Sequence, residues 1–189
     1  KEKNISDVVL GMHSKATSYD SFFGNLTETL LDGINRMICV YKATQPMSTI
    51  KRVVVATTPK CEFETGFTKW CNRIFTLTSQ IGSELVIYCT KETQKLIAET
   101  AKAQKCNCKF TFHTLADWED FLILSREVKE NDLLVVVTAR RQSISYTPLL
   151  DKLPRQLTQY FSDNSFIVLF PEQFKEGEFD RNISERKFI

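Results

Sequence analysis

The residues of this chain best suited to chemistry lie in one stretch near its start. Gly11 is followed by two residues and Ser14, and nine more lead to Gly24-Asn25. Asn25 suits a helix N-cap, and Glu28 three residues on completes a capping-box arrangement. A glycine turn delivering the chain to a helix N-terminus presents free backbone N–H groups and the positive end of the helix dipole, which suits a phosphate. Gly11, Ser14, Gly24 and Asn25 are therefore the candidate nucleotide-binding residues, set against a reading of both glycines as plain turn residues.

The remaining reactive side chains form no second constellation. His13 falls in the same loop and His113 ends an alternating run, and neither has the Ser/Asp or Cys/His context of a hydrolase. No Walker, H-x-x-x-H or nucleophile-elbow string occurs. Cys106-x-Cys108 is a lone close pair with no second pair to complete a zinc site, and Cys39, Cys71 and Cys89 sit in apolar stretches as small hydrophobes. Arg140-Arg141 with Lys51-Arg52 reads as solvated surface before it reads as an RNA site. The sequence thus predicts no catalytic residue and no metal ligand, and the chain is not expected to be an enzyme.

Composition agrees. Of the 189 residues 42% are apolar and 25% charged, with 25 Lys+Arg against 23 Asp+Glu, a balance too even to advertise a nucleic-acid surface. Six Gly and five Pro exclude collagen-like and low-complexity classes. No apolar run approaches the ~20 residues of a membrane span. The chain opens Lys-Glu-Lys-Asn, without Met and without a signal peptide, which predicts an excised piece of a longer polypeptide.

From residue 50 short β-type runs alternate with helical periodicity. Strands are expected at 53–56, 85–88, 109–113, 133–137 and 166–170, the first as a continuous run rich in β-branched residues and buried on both faces, the fourth as the strongest strand signal in the chain. Phe67, Trp70, Cys71, Ile74, Phe75, Thr78 and Ile81 predict a one-striped helix closed by Gly82. Helices follow over 91–105, with Leu96, Ile97 and Ala101 inward, and after Asp117, with Trp118, Phe121, Leu122 and Ser125 as its stripe. The last starts at Leu153-Pro154 and faces inward through Leu157, Tyr160 and Phe161. Such alternation predicts an α/β fold: a parallel, doubly wound, Rossmann-like five-stranded sheet with helices on both faces.

Residues 1–45 read as the end of the same unit. Val8-Val9, Leu26 and Leu30 map onto Val135-Val136, Leu153 and Leu157 at a constant offset of 127, and the last strand, Ile38 to Val40, needs two residues more. The chain is then divided as 1–48, the last strand–helix–strand of a truncated first repeat; 49–173, a complete second unit; and 174–189, a charged tail. Residues 7–10 and 37–41 are expected to form the strand pair of a second, incomplete sheet, and strand 166–170 to lie at or near a sheet edge.

The spacing from Gly11 to Asn25 resembles the nucleotide loop of universal stress proteins (Gly, two residues, Gly, nine residues, Gly, then Ser, Thr or Asn), with Ser14 departing at the second glycine. In the complete unit the glycine positions become Thr138 and Asp151, Arg140-Arg141 occupy the turn, and the first strand ends Thr57-Thr58-Pro59 where ATP-binding members carry an aspartate. That unit resembles a degenerate, non-binding copy. More narrowly, Ser21-Phe-Phe-Gly-Asn-Leu-Thr-Glu-Thr-Leu30, Asp117-Trp-Glu-Asp-Phe121 and Asp132-Leu-Leu-Val-Val-Val137 resemble the C-terminal region of bacterial cation/proton antiporters, where universal stress protein-like domains follow a membrane transporter.

The resemblance implies a soluble accessory or regulatory domain, neither catalytic nor ion-conducting, on the cytoplasmic face of the bacterial inner membrane. Its partner is the transmembrane antiporter domain of the same polypeptide. It implies a homodimer through edge strands, no nucleic acid, and no cofactor beyond an adenine nucleotide in the intact first unit. It further implies that strand 37–41 meets strand 166–170, within one chain or between two. The alternative is a free-standing tandem universal stress protein that binds an adenine nucleotide.

Overall fold

The computed structural model describes residues 6–12, 29–31 and 33–173. Among the described residues seven strands run in chain order: β1 (Asp7–Gly11), β2 (Met37–Lys42), β3 (Arg52–Thr57), β4 (Glu84–Cys89), β5 (Phe110–Thr114), β6 (Asp132–Val137) and β7 (Ser165–Phe170). Between them lie α1 (Phe67–Ile81), α2 (Lys91–Ala103), the short α3 (Leu124–Glu127) and α4 (Leu153–Tyr160), with a helical turn at residues 29–31.

All seven strands form one sheet in the order β1-β2-β7-β6-β3-β4-β5. Within it β3 to β7 are mutually parallel, and the order outward from β3 is that of a doubly wound α/β unit with its switch point between β3 and β6. β1 and β2 are parallel to each other, while β2 pairs antiparallel with β7. The expected second sheet is thus no separate body, because the predicted 37–41 to 166–170 pairing, made inside one chain, fuses the two. β7 accordingly lies inside the sheet, and among the described residues the edges are β1 and β5.

Side-chain alternation sends each strand's residues to two cores. Ile38, Val40, Val54, Ala56, Leu134, Val136, Phe166 and Val168 face one, which α4 closes with Leu153 and Leu157. Met37, Val53, Val55, Leu133, Val135 and Leu169 face the other, under Trp70, Cys71 and Ile74 of α1 and Ile97 of α2. At the starts of β3 and β6 the Arg52 guanidinium forks onto Asp132 (2.9 and 2.5 Å), fixing their register where the buried carboxylate needs a partner.

Helix α1 ends as its sequence requires. Gly82 takes the left-handed conformation (φ 67°), and Ser83 N donates to Thr78 O at 3.2 Å. Three expectations fail locally. Leu96 and Tyr160 are exposed, since α2 turns Thr93, Ile97 and Ala101 inward and α4 buries only Leu153 and Leu157. The segment after Asp117 is a 3-10 turn, Trp118–Ile123, before α3. Its tighter winding buries Trp118, Phe121 and Leu124, every third residue, in place of the expected Leu122 and Ser125.

The offset of 127 also needs correction in the strands. Val8 packs with the first core and Val135 with the second, so an odd offset maps one face of the sheet onto the other. Even offsets of 126 for β1 onto β6 and 128 for β2 onto β7 keep faces and pairing register together. Leu30 still matches Leu157 at 127, both on the first core.

Candidate functional site

The antiparallel β2–β7 junction decides where the candidate residues lie. It places the carboxyl ends of β1 and β2 on the opposite rim of the sheet from those of β3 to β7. Gly11 ends β1 on the first rim, where Met12 N donates to Tyr41 O at 2.8 Å. Its φ is not left-handed, and a Cβ built there meets nothing within 4 Å. The local backbone therefore does not demand glycine, and open space lies beside the strand end. Ser14, Gly24 and Asn25, with His13 and Glu28, lie outside the described residues, as does the charged tail 174–189.

The opposite rim carries the switch point, the crevice in which open α/β sheets usually receive ligands. Here the chain bridges it with its own side chains. Glu64, in the loop after β3, is only 7% exposed and accepts from Ser145 N (3.0 Å) and Ser145 Oγ (2.7 Å), in the loop after β6. Gln173 Nε2 donates to the second Glu64 oxygen at 3.1 Å and to Ser143 Oγ at 2.9 Å. Both loops flanking the crevice are thus tied to each other and to the segment that follows β7.

That segment, Pro171 to Gln173, lies across the rim as a strap. A Cβ on Gly66 would sit 2.5 Å from Glu172 N and 2.9 Å from Glu172 O, so only glycine permits the strap to pass this close to the start of α1. Gln173 N donates to Asn35 O at 2.8 Å, reaching the first half of the chain. Beneath, Thr57 and Thr58 are fully buried, with the Thr57 hydroxyl beside the Cys61 thiol.

Charge ties the strap to both halves. Lys69 Nζ of α1 lies 3.1 Å from Asp7 and 2.6 Å from Glu172, Arg36 reaches Glu172 at 3.0 Å, and Arg73 reaches Asp7 at 2.7 Å. Partial burial raises the pKa of both carboxyls, but Lys69 with Arg73 on Asp7, and Lys69 with Arg36 on Glu172, more than reverse it. Both lie below the ordinary carboxylate value.

Arg140, in the loop after β6, is a clamp and not part of a surface patch. Its guanidinium donates to Leu31 O (2.6 Å), Ile34 O (2.5 Å) and Arg36 O (2.8 Å). These carbonyls belong to the end of the first half's helical segment and the approach to β2, where a helix leaves acceptors without partners. Arg141 stays exposed, 3.7 Å from Asp151. The basic pair is therefore divided between a structural and a solvated residue.

The other reactive groups are quiet. Burial pushes the Cys61 and Cys71 thiols far up, Cys89 and Cys108 to about 12 and Cys39 to about 11, so all five stay protonated. His113 stacks on Tyr88 (centroids 4.8 Å, 15° apart) at the end of an edge strand. Among the described residues no group of three His, Cys, Asp or Glu could hold a metal ion, and no helix is long and apolar enough to cross a membrane. Compared with known proteins, the chain matches no family model and no curated protein.

Sequence reasoning missed Glu64, Gly66 and Gln173, which carry the closure. Gly66 held a signal: it precedes a helix without an N-cap side chain, and its Cβ-free surface is used from a residue more than a hundred positions away.

Proposed function

We propose that this chain is a non-catalytic accessory region of a bacterial cation/proton antiporter, on the cytoplasmic face of the inner membrane, where it tunes exchange without carrying ions. The observation that carries this reading is the bridged switch point. A ligand-binding member of such a fold needs that crevice open, and here Glu64, Ser145 and Gln173 satisfy one another across it. A buried carboxylate at the mouth also repels a phosphate. A crevice bridged in this way favours regulation through contact over the binding of a small molecule. The resemblance of the strings at 21–30, 117–121 and 132–137 to the C-terminal region of cation/proton antiporters supports the transmembrane domain of the same polypeptide as the partner.

The test is the coding sequence ahead of residue 1. Ten or more apolar segments of ~20 residues support the reading, and none sinks it. A second reading, a free-standing tandem universal stress protein holding an adenine nucleotide in its first unit, is favoured by the open space at Gly11. Micromolar ATP binding by the 189-residue chain would select it.

A further inference from the structure

Helix α2 ends in a turn that sets two thiols side by side. Lys105 takes the left-handed conformation (φ 52°), as Gly82 does after α1. Lys105 N donates to Lys102 O at 3.1 Å and Cys106 N to Ala101 O at 2.9 Å, the paired bonds of a Schellman closure. Just beyond Cys108, Lys109 O accepts from Leu85 N of β4 at 3.1 Å. The Cys106-Asn-Cys108 segment is therefore pinned at both ends. Two residues of chain hold the cysteine Cα atoms within ~7 Å, the outer limit for a disulfide. Both cysteines are half-buried and rest on the same core, beneath α1 and α2, and the Cys106 sulfur is the hydrogen-bonding neighbour of the Cys108 thiol.

The other thiols lack this combination. Cys61, Cys71 and Cys89 are at most 1% exposed, beyond the reach of a solute. Cys39 is half-buried on β2, with Asp7 and Arg73 as its charged neighbours. Around the pair the chain places Lys102, Lys105 and Lys109, all exposed. Partly exposed, electropositive surroundings are where thiols react. Among the described residues no third His, Cys, Asp or Glu joins the two sulfurs to make a metal site.

We propose that Cys106 and Cys108 are a reversible redox pair, closed to a disulfide by a low-molecular-weight disulfide and reopened by the corresponding thiol. Cys106 loses its proton to solvent and its sulfur attacks one sulfur of the small disulfide. A mixed disulfide forms and one thiolate leaves. Cys108 then loses its proton to solvent and attacks the Cys106 sulfur, breaking the mixed disulfide and releasing the second thiolate. The two cysteines are oxidised by two electrons, and the small disulfide is reduced to two thiols. Burial, and then the Cys106 sulfur beside it, raises the Cys108 thiol to about 12, so Cys108 waits protonated while Cys106 attacks. Once Cys106 is in the mixed disulfide it carries no charge, and its part of that rise is gone. A ring closed over so short a loop stores strain, which keeps it easily reduced.

The test exposes the 189-residue chain to oxidised glutathione, quenches with acid, alkylates and digests with trypsin. Cleavage after Lys105 and Lys109 releases both sulfurs in one peptide, 106–109. It should lose two hydrogens and escape alkylation on the order of tenfold faster than Cys39 takes up glutathione, and reduced glutathione should restore it. Cys108→Ser should stop at the mixed disulfide on Cys106, and Cys106→Ser should leave Cys108 open to alkylation. The first measurement uses the unaltered chain and decides the matter even if a variant fails to fold. A 106–109 peptide still alkylated on both sulfurs would overturn the proposal. So would a lasting glutathione adduct on the unaltered chain without closure, or a disulfide joining two chains.

Discussion

Removing the Arg140 guanidinium should loosen the first half of the chain from the second. The side chain is half-buried and donates to the carbonyls of Leu31, Ile34 and Arg36. A hydrogen bond with a charged partner contributes about 1.5–3 kcal/mol. These three share one cation, and water reaches some of the freed carbonyls in the variant, so Arg140→Ala should cost about 3 kcal/mol and not three full bonds. For a domain of this size that lowers Tm by roughly 6–12 °C. Arg140→Lys keeps the charge but lacks the fork and should recover less than half of the loss. Arg141→Ala, at an exposed residue with a 3.7 Å contact, should leave Tm unchanged. Thermal unfolding by circular dichroism gives the shifts, and hydrogen exchange locates them, with amides of β2 accelerated first in Arg140→Ala. If Arg140→Ala melts within 1 °C of the parent chain, the clamp is not holding the halves and the reasoning fails.

Other perturbations probe the closed rim. Glu64→Ala leaves Ser145 N–H and its hydroxyl buried without an acceptor and should cost about 2–4 kcal/mol in urea unfolding. Gly66→Ala places a methyl 2.5 Å from the Glu172 nitrogen; the strap must lift, accelerating exchange at Gln173 N–H by at least about tenfold. Asp7 and Glu172 have folded pKa values below their unfolded ones, so their contribution is complete above about pH 4.5 and is lost as pH falls through the folded values. Unfolding free energy should be flat on this account from pH 7 to 5 and decline below about 4, and Asp7→Asn should shrink that decline. Calorimetry of residues 46–189 with ATP should show no binding at micromolar concentration.

Much of the fold was legible because it is written in local periodicity. The apolar run at Val53–Ala56 is buried on both faces as its residue types predict, and Leu133–Val137 forms the expected strand, both readable without knowledge of the neighbours. Helix α1 was legible to its last residue because Gly82 marks its end. What failed depended on distance. A strand offset wrong by one residue still aligns Val with Val, since a β-branched run looks the same in either register; only the face each residue meets tells 126 from 127. Glu64, Gln173 and Arg140 look like ordinary surface residues in sequence, and they acquire roles only when partners 81, 109 and more than 100 positions away arrive. Of the candidate phosphate residues, only Gly11 lies among those described, and it ends the edge strand β1.

Under the proposed function this region tunes a transporter and carries no ion itself. Antiport measured as dissipation of a pH gradient in everted membrane vesicles, with and without residues 1–189 and at matched protein levels, tests it most directly. The account predicts that exchange survives deletion while its pH or cation dependence shifts, by an amount equivalent to the ~1–3 kcal/mol typical of coupling between separate sites. Unchanged pH and cation profiles, or exchange abolished outright with the transporter still folded and inserted, would contradict it.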